Sequence, residues 1–471
     1  MYINTNIIIR WKGICKVKNT KNTIIIAFLL TSLILFSYGN SLLLFSKSTN
    51  VSDNSKGQLL LNKKDVSNVK PSNFKHSLEV ELSKISLSKS IVELLPADFC
   101  LIGEWSNSDK EIVDLNPNKA LVPGSALKIA TAAIVFSNFK KDETLDTTIY
   151  GQATNGVVET ASMTISGDPS FISNNPPNLG RQDYIENKYT HTFSDLANKL
   201  SVLNIKNIKK LVIDTSWFNI PSYNKEWESK KNQVGAMGAL LVDEGYEQNS
   251  VSLEPQIYAS NILKEMFLSK FVTIGTIEFS KKQLDPKLTT KENLLASIQS
   301  ASIEKLVTDM LKNSNNIYAE QLLIASAHKS IGRVDIESLM NFANTQLNKL
   351  VPNTDGLKFL NGSGFSYSST ITCSELMSII SSVSKKGINI ISLTSKAGID
   401  GTLANRFAEY KNILQAKTGT LDGVTALIGN IDKIHFSLLV NGQFNDAKGH
   451  IYQEKTVALL KQFPSINNLK I

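Results

Sequence analysis

The pattern of hydrophobic and polar positions divides the beginning of the chain into three kinds of segment. Residues 23–36 form a largely apolar run, TIIIAFLLTSLILF, and a shorter run, LLLF, follows at 42–45. Residues 46–75 are rich in Ser, Asn, Lys and Asp and lack apolar periodicity, so they are predicted to form a linker. From residue 76 the stretch HSLEVELSKISLSKSIVELL is amphipathic and predicts a helix.

Strand and helix patterns alternate over the next part of the chain. The runs FCLIGEW and EIVDL, separated by the polar SNSDK, predict a β-hairpin. Residues 121–136, LVPGSALKIATAAIVF, are apolar almost all round a helix, which indicates a helix enclosed by protein that starts at Pro123 and Gly124. Residues 150–289 differ, since short runs such as SMTISG and KKLVID alternate with turns and helical stretches such as TFSDLANKLSVL.

The last part of the chain is predicted to begin with helices and to end with strands. A helix-rich pattern returns at about residue 290. Residues 413–442 predict two or three strands, and Asp422-Gly423 between apolar runs is typical of a hairpin turn. A final helix is predicted near YQEKTVALLKQF, and the sequence contains no internal repeat.

Positive charge is concentrated ahead of the first apolar run. The formal net charge is +8 and the isoelectric point is about 9.0. Five basic residues precede the run with no acid among them: Arg10, Lys12, Lys16, Lys18 and Lys21. Without them the charge falls to +3, so nucleic-acid binding is not predicted. A basic start, a short apolar core and the small polar exit SYGNS predict that residues 1–45 are a secretory signal peptide or an uncleaved signal anchor.

Export predicts a location in the periplasm or envelope, with membrane association through residues 1–45 if that segment is retained. In an oxidising compartment Cys100 and Cys373 either form a disulfide or remain two buried free thiols. The histidines are scattered, and together with the cysteines they show no metal-ligand spacing, so no metal site is predicted.

Ser125 and Lys128 are the first candidates for chemistry, because they lie three positions apart at the start of the enclosed helix. Residues three apart share a helix face, so Lys128 can reach Ser125 and take its hydroxyl proton. Burial would lower the pKa of this lysine, and the Ser125 N–H can stabilise an oxyanion. Other S-x-x-K matches, such as Ser86 and Lys89, lack the apolar helix, and a structural salt bridge of Lys128 is the alternative.

Two further polar motifs lie later in the chain. Ser314 and Asn316 place a hydroxyl and an amide before a predicted helix, where a helix cap is the alternative. The tetrad from Lys417 to Thr420 ends a strand of the predicted hairpin. Its lysine and hydroxyls can hold a carboxylate, Gly419 leaves the backbone open to a ligand, and the Thr420 N–H can complete an oxyanion hole. An extended peptide could align along this strand if it is an edge.

In the order S-x-x-K, S-x-N and K-T-G, the three motifs are far more specific together than any one alone. With them, the chain resembles the low-molecular-mass class C penicillin-binding proteins, which are D-alanyl-D-alanine carboxypeptidases and endopeptidases. Further matching segments are SGDPSF (166–171), NSNNIYAEQLL (313–323), NGSGFS (361–366), AGIDGTL (397–403) and AKTGTLDGV (416–424). Two positions depart from the family, since Gly124 stands where Ala is usual and Asn361 where Asp is common.

The resemblance implies an α+β fold, a β-lactamase/transpeptidase-like domain in which an antiparallel sheet packs with helices. Residues 76–149 and 290–471 would form this catalytic domain, split by an inserted domain or domains at residues 150–289. The implied activity is that of a serine-type D-Ala-D-Ala carboxypeptidase, a hydrolase of peptidoglycan stem peptides. β-Lactams would inhibit it by acylating the nucleophile, and no metal or organic cofactor is implied.

The same resemblance assigns roles to the residues of the three motifs. Ser125 would be the nucleophile, Lys128 its general base, and Ser314 the proton relay to the leaving amine. Asn316 would hold the substrate amide. The other substrate-binding residues would be Lys417 for positive potential, Thr418 and Thr420 for the terminal carboxylate, and Gly419 for access to the backbone.

Three alternatives remain at this point. A β-lactamase shares the motifs, although the long insertion argues against it. A non-catalytic envelope protein could use the same cleft to bind wall peptide. A Ser-His-Asp hydrolase is disfavoured because the sequence has no G-x-S-x-G elbow with a matching histidine. The sequence also leaves open the balance between carboxypeptidase and D-Ala endopeptidase activity.

Overall fold

The computed structural model describes residues 71–96, 98–106, 108, 110–177, 189–224, 227, 232–248 and 250–463. The predicted signal or anchor segment and most of the predicted linker, residues 1–70, lie outside the described residues. Within the described part, no helix combines the length and the apolar character that a membrane span requires.

The described residues form both α-helices and β-strands. The helices are α1 (Pro71–Leu94), α2 (Lys128–Asn138), α3 (Ser194–Val202), α4 (Pro255–Leu268), α5 (Ile303–Lys312), α6 (Asn316–Ile331), α7 (Ile336–Leu350), α8 (Cys373–Ser384) and α9 (Asp446–Gln462). The strands are β1 (Asp98–Trp105), β2 (Glu111–Leu115), β3 (Asp146–Tyr150), β4 (Ala153–Thr154), β5 (Val157–Ile165), β6 (Asn207–Asp214), β7 (Phe218–Asn219), β8 (Tyr246–Glu247), β9 (Ser250–Val251), β10 (Thr273–Ser280), β11 (Leu294–Gln299), β12 (Val334–Asp335), β13 (Ser395–Lys396), β14 (Leu414–Leu421), β15 (Val424–Ile431) and β16 (Ile434–Asn441). Helix α1 begins at Pro71, inside the predicted linker and ahead of the predicted helix start at residue 76.

Six strands form an antiparallel sheet in the order β13-β14-β15-β16-β1-β2. The hairpin predicted from FCLIGEW and EIVDL is confirmed as β1 and β2. The strands predicted at the end of the chain are confirmed as β14, β15 and β16. Gly423, in the turn between β14 and β15, has φ +67°, a left-handed conformation that glycine adopts without steric cost.

A second sheet has the order β10-β6-β5-β3-β11, and β4 pairs with β5. Here β6 runs parallel to both of its neighbours, β5 and β10. Strand β3 precedes the predicted insertion and β11 follows it, and the two strands pair with each other. The predicted domain limits, 150 and 289, therefore cut across this sheet, and the assignment of domains stays a prediction.

Helix α2 lies in the core, as its apolar pattern predicts. Every residue from Lys128 to Phe136 is buried, and the helix packs against α6, α7 and α8. Cys100 on β1 and Cys373 at the start of α8 form a disulfide, which settles the two alternatives that the sequence left open. This bond ties the antiparallel sheet to the helices that surround α2.

Candidate active site

The residues that begin helix α2 form a short 3₁₀ turn, Gly124–Leu127, which leads directly into Lys128. Ser125 lies on this turn and is half-buried. Gly124 has φ +53°, and a Cβ built on it would lie 3.1 Å from the Thr420 backbone nitrogen. A side chain at position 124 would therefore meet both backbone strain and strand β14. The turn therefore packs against the sheet, on strands β14 and β15.

Lys128 is fully buried and makes three hydrogen bonds through its side-chain nitrogen. Nζ lies 2.9 Å from Ser125 Oγ, 2.7 Å from Asn316 Oδ1 and 2.7 Å from the carbonyl oxygen of Ser363. A protonated lysine has three N–H donors, and these three acceptors match them. After loss of the proton, two N–H groups and one lone pair remain for the same three partners.

The environment of Lys128 favours the neutral amine. Burial lowers the pKa of Lys128 well below its ordinary value, and the nearby cation of Lys417 lowers it further. The carboxylate of Glu320 acts in the opposite direction. Lys128 makes no salt bridge with any of the described residues. The alternative that the sequence left open, a structural salt bridge of Lys128, is therefore not seen in the described structure.

The loop before helix α6 carries the S-x-N motif. Ser314 has φ +56°, and the next residue, Asn315, caps the helix by accepting a hydrogen bond from the Tyr318 N–H at 3.1 Å. The cap that the sequence offered as an alternative is therefore made by Asn315. Asn316 is the first residue of α6, and its Nδ2 donates to the Gln233 carbonyl oxygen at 2.8 Å. Its other amide N–H has no partner among the described residues and is available to a ligand.

Strand β14 brings the K-T-G motif to the same place. Lys417 is fully buried, and its Nζ lies 3.0 Å from Ser314 Oγ and 2.7 Å from the Thr418 carbonyl oxygen. Burial lowers the pKa of Lys417 to about 7. Thr418 Oγ1 donates to Thr402 Oγ1 at 2.9 Å, while Thr420 is exposed.

The outer side of β14 is open next to the nucleophile. Strand β13 pairs with Gln415 and Ala416 only, so residues 417–421 have no ladder partner on that side among the described residues. Gly419 lies against the nucleophile turn, because a Cβ at this position would overlap the carbonyl oxygen of Pro123. An edge strand of this kind can accept an extended peptide.

All eight predicted site residues therefore lie together around the Ser125 turn and strand β14. Sequence reasoning assigned no role to three groups that also lie there, namely the Ser363 carbonyl, the Glu320 carboxylate and the Thr402 hydroxyl. Each of them belongs to a segment that carries the family resemblance, residues 361–366, 313–323 and 397–403. That signal marks the segments, but it does not say which atom of each segment faces Lys128 or Thr418.

Comparison with known proteins finds carboxypeptidases among the relatives of this chain. The carboxypeptidase DacB of Mycolicibacterium smegmatis is 24% identical over 344 residues, which span 69% of this chain and 71% of that protein. The D-alanyl-D-alanine carboxypeptidase DacB of Haemophilus influenzae is 29% identical over 183 residues, 35% of this chain and 37% of that protein. The crystal structure of penicillin binding protein 4 (dacB) from Haemophilus influenzae superposes with a TM-score of 0.65 at 17% identity, over 80% of this chain and 99% of that chain.

The structural likeness confirms the predicted α+β, transpeptidase-like fold. The sequence profile of the D-Ala-D-Ala carboxypeptidase 3 (S13) family matches residues 101–255 and 230–463. These two segments contain all three motifs and together cover most of the chain. The resemblance inferred from the sequence is thereby confirmed, and the chain belongs to the D-Ala-D-Ala carboxypeptidase 3 (S13) family.

Proposed function

We propose that this protein is a serine-type D-alanyl-D-alanine carboxypeptidase that acts on the stem peptides of peptidoglycan. The observation that carries the proposal is the contact of the buried Lys128 Nζ with Ser125 Oγ at 2.9 Å, beside the open edge of strand β14, which carries K-T-G. Membership of the S13 family and the carboxypeptidase relatives support the same activity.

Ser125 is activated by the neutral amine of Lys128. The Asn316 Oδ1 and the Ser363 carbonyl oxygen, each 2.7 Å from Nζ, accept the two N–H groups of that amine. The lone pair is then left to face Ser125 Oγ, where it accepts the hydroxyl proton as Oγ attacks the carbonyl carbon of the penultimate D-alanine.

The substrate lies extended along the open edge of β14. Its carbonyl oxygen becomes an oxyanion on attack, and the N–H groups of Ser125 and Thr420 donate hydrogen bonds to it. The Thr420 nitrogen adjoins Gly124, the residue before the nucleophile. Loss of one such donor typically costs about 3–4 kcal/mol of transition-state stabilisation.

Lys417 and the groups around it bind the terminal D-alanine and assist its departure. Its carboxylate is held by Lys417, Thr418 and Thr420, and binding of this anion favours the protonated form of Lys417. Ser314, 3.0 Å from Lys417 Nζ, relays the proton from the amine of Lys128 to the leaving nitrogen. The C–N bond breaks, free D-alanine departs, and water then hydrolyses the ester on Ser125.

Labelling with penicillin tests the proposal directly. A β-lactam offers a strained amide and a carboxylate with the spacing of the natural substrate, so it should acylate Ser125. We expect intact-mass analysis to show one covalent adduct, and peptide mapping to place it on Ser125. The Ser125→Ala variant should remain unlabelled, whereas Ser86→Ala, in an unrelated S-x-x-K match, should label normally. Absence of an adduct on folded protein would overturn the proposal.

Analysis of the reaction products distinguishes carboxypeptidase activity from the alternative activities. Release of free D-alanine from a pentapeptide indicates carboxypeptidase action, and conversion of a cross-linked dimer to monomers indicates endopeptidase action. Both reactions transfer the same acyl group to Ser125 and differ in the leaving amine. Rapid turnover of penicillin would instead indicate a β-lactamase. Binding of the peptide without any product would indicate a wall-peptide binding protein.

Because peptidoglycan is part of the cell envelope, the proposed substrate implies that the protein is located there. The export segment predicted at residues 1–45 supports this location, and so does the disulfide between Cys100 and Cys373, since such bonds persist in oxidising compartments. The mass of the mature protein, measured separately in the membrane and soluble fractions of its host, decides between a cleaved signal and a retained anchor.

A further inference from the structure

The carboxylate of Glu320 lies behind the catalytic lysine and has no role in the reaction steps above. Its side chain is buried, and the residue sits one turn after Asn316 on helix α6, so that both side chains point from one helix face towards Lys128. Glu320 Oε1 accepts a hydrogen bond from the Ser363 N–H at 2.7 Å, and Oε2 accepts one from the Gly362 N–H at 2.9 Å.

These two bonds fix the loop that carries the third acceptor of Lys128. The Ser363 carbonyl, 2.7 Å from Lys128 Nζ, immediately follows the N–H that Glu320 holds. The loop is fastened at two further points. Thr131 Oγ1 on α2 donates to the Gly362 carbonyl at 2.6 Å, and the Gly364 N–H donates to Asn361 Oδ1 at 2.8 Å. Glu320 is the only charged member of this set among the described residues.

We propose that Glu320 is a positioning residue that sets the direction of the Lys128 lone pair through the Ser363 carbonyl, and that its charge sets the pH at which Lys128 becomes a base. The proposal rests on the proposed acylation of Ser125. Both carboxylate oxygens accept backbone N–H groups, which is an arrangement that suits the ionised acid. The ionised acid in turn favours the protonated form of Lys128.

The charged groups that act on Lys128 are few. Among the described residues they are Glu320 from α6 and Lys417 from β14. Burial raises the pKa of Glu320, whereas the Ser363 hydroxyl, the backbone donors of Gly362 and Ser363, and Lys128 lower it. Removal of the negative charge would leave Lys417 as the remaining charged neighbour. The pKa of Lys128 would then fall, and the amine would be neutral at lower pH.

The Glu320→Gln variant separates the two effects. The amide keeps the volume of the side chain, but it carries no charge and turns its NH₂ towards one of the two backbone N–H donors. We expect the acid limb of the pH profile for acylation by a labelled penicillin to move down by about one pH unit. We also expect the plateau rate to fall about 10-fold to 100-fold, because the base is misdirected.

Glu320→Asp keeps the charge on a shorter side chain. The acid limb of the pH profile of Glu320→Asp should stay near that of the wild type. The plateau rate should fall, because the shorter carboxylate no longer reaches both N–H donors. The folded fraction of each variant is measured at every pH and the acylation rate is expressed per folded molecule, so the readout survives partial unfolding of either variant.

Glu375→Gln is the matched control. Glu375 on α8 is also buried, and its two oxygens accept the backbone N–H groups of Thr372 at 2.8 Å and Gly356 at 3.1 Å. It should lose stability without any movement of the acid limb.

Three results would overturn the proposal: an acid limb of Glu320→Gln that stays in place, a limb that moves to higher pH, or a plateau that is unchanged in both Glu320 variants. Failure of the wild type to label at Ser125 would instead remove the proposed function itself.

Discussion

Lys417 Nζ donates a hydrogen bond to Ser314 Oγ over 3.0 Å, although 103 positions separate the two residues in the chain. The contact joins strand β14 to the loop before helix α6. Asn316, two positions after Ser314, accepts from Lys128 on α2. The sheet, α2 and α6 therefore meet through Lys417 and Lys128. Neither lysine makes a salt bridge with the described residues, and the chemistry of the site depends on the charge of both.

Lys417 should recognise the terminal carboxylate of the substrate. We expect Lys417→Ala to lower kcat/KM about 10-fold to 100-fold on a peptide that ends in D-alanyl-D-alanine, since a hydrogen bond to a charged group contributes about 1.5–3 kcal/mol. The same peptide with a C-terminal amide should be a poor substrate of the wild type, and the variant should not make it poorer still. Equal losses of kcat/KM on both peptides would show that Lys417 does not act through the carboxylate of the substrate.

Lys128 should be required for acylation and not for folding. We expect Lys128→Ala to slow the acylation of Ser125 by penicillin about 10²-fold to 10⁴-fold, the usual contribution of a general base. Stopped-flow fluorescence with a labelled penicillin measures the rate. The control is Lys89→Ala, which alters another S-x-x-K pair whose lysine side chain is 74% exposed on helix α1. An unchanged rate in Lys128→Ala would mean that a different group takes the proton.

The buried Lys417 should make the stability of the protein depend on pH. Its pKa is about 7 in the folded state and 10.5 ordinarily, so the unfolded chain binds more protons between these two values. The free energy of unfolding should therefore rise with pH across this window, by up to about 5 kcal/mol for this group. Urea unfolding of Lys417→Met should show a smaller rise than the wild type, and equal slopes for the two proteins would contradict the argument.

The disulfide should stabilise the packing of sheet against helices. Cys100 and Cys373 are 273 positions apart, so their bond closes a long loop in the unfolded chain. We expect the Cys100→Ser/Cys373→Ser double variant to lose about 2–5 kcal/mol of unfolding free energy. Thermal unfolding with and without reductant measures the loss. Reductant should lower the midpoint of the wild type and leave that of the variant in place, and an insensitive wild type would speak against the bond.

The parts of the site that the sequence predicts are those with a local signature. Ser125 and Lys128 share a helix face, and the apolar residues around them already indicate that the lysine is buried. The turn at Asp422-Gly423 likewise follows from its two residues. These features depend on neighbours within a few positions, which is why a pattern of residue types is enough to find them.

The remaining parts depend on contacts between distant segments. The Ser363 carbonyl is a backbone atom that every residue possesses, so residue type does not reveal that it faces Lys128. The pairing of Cys100 with Cys373 requires their Cα atoms to come close together, and the fold alone brings them to the observed 5.9 Å. The order of the second sheet, in which β3 and β11 pair from either side of the insertion, is also a product of the tertiary structure.

Gly364 should be needed for the geometry of the active site as well as for its own left-handed backbone conformation. It has φ +74°, and a Cβ on it would overlap the carbonyl oxygen of Gly124, next to the nucleophile. Gly387 has φ +80°, but a Cβ there would meet nothing within 4 Å. Both alanine variants should lose about 1–2 kcal/mol of stability from the left-handed backbone, measured by urea unfolding. Only Gly364→Ala should also displace the Ser125 turn and slow penicillin acylation, about 10²-fold for a shift near 1 Å. If the two variants acylate equally fast, the contact between the 361–364 loop and the nucleophile turn does not determine the geometry of the reaction.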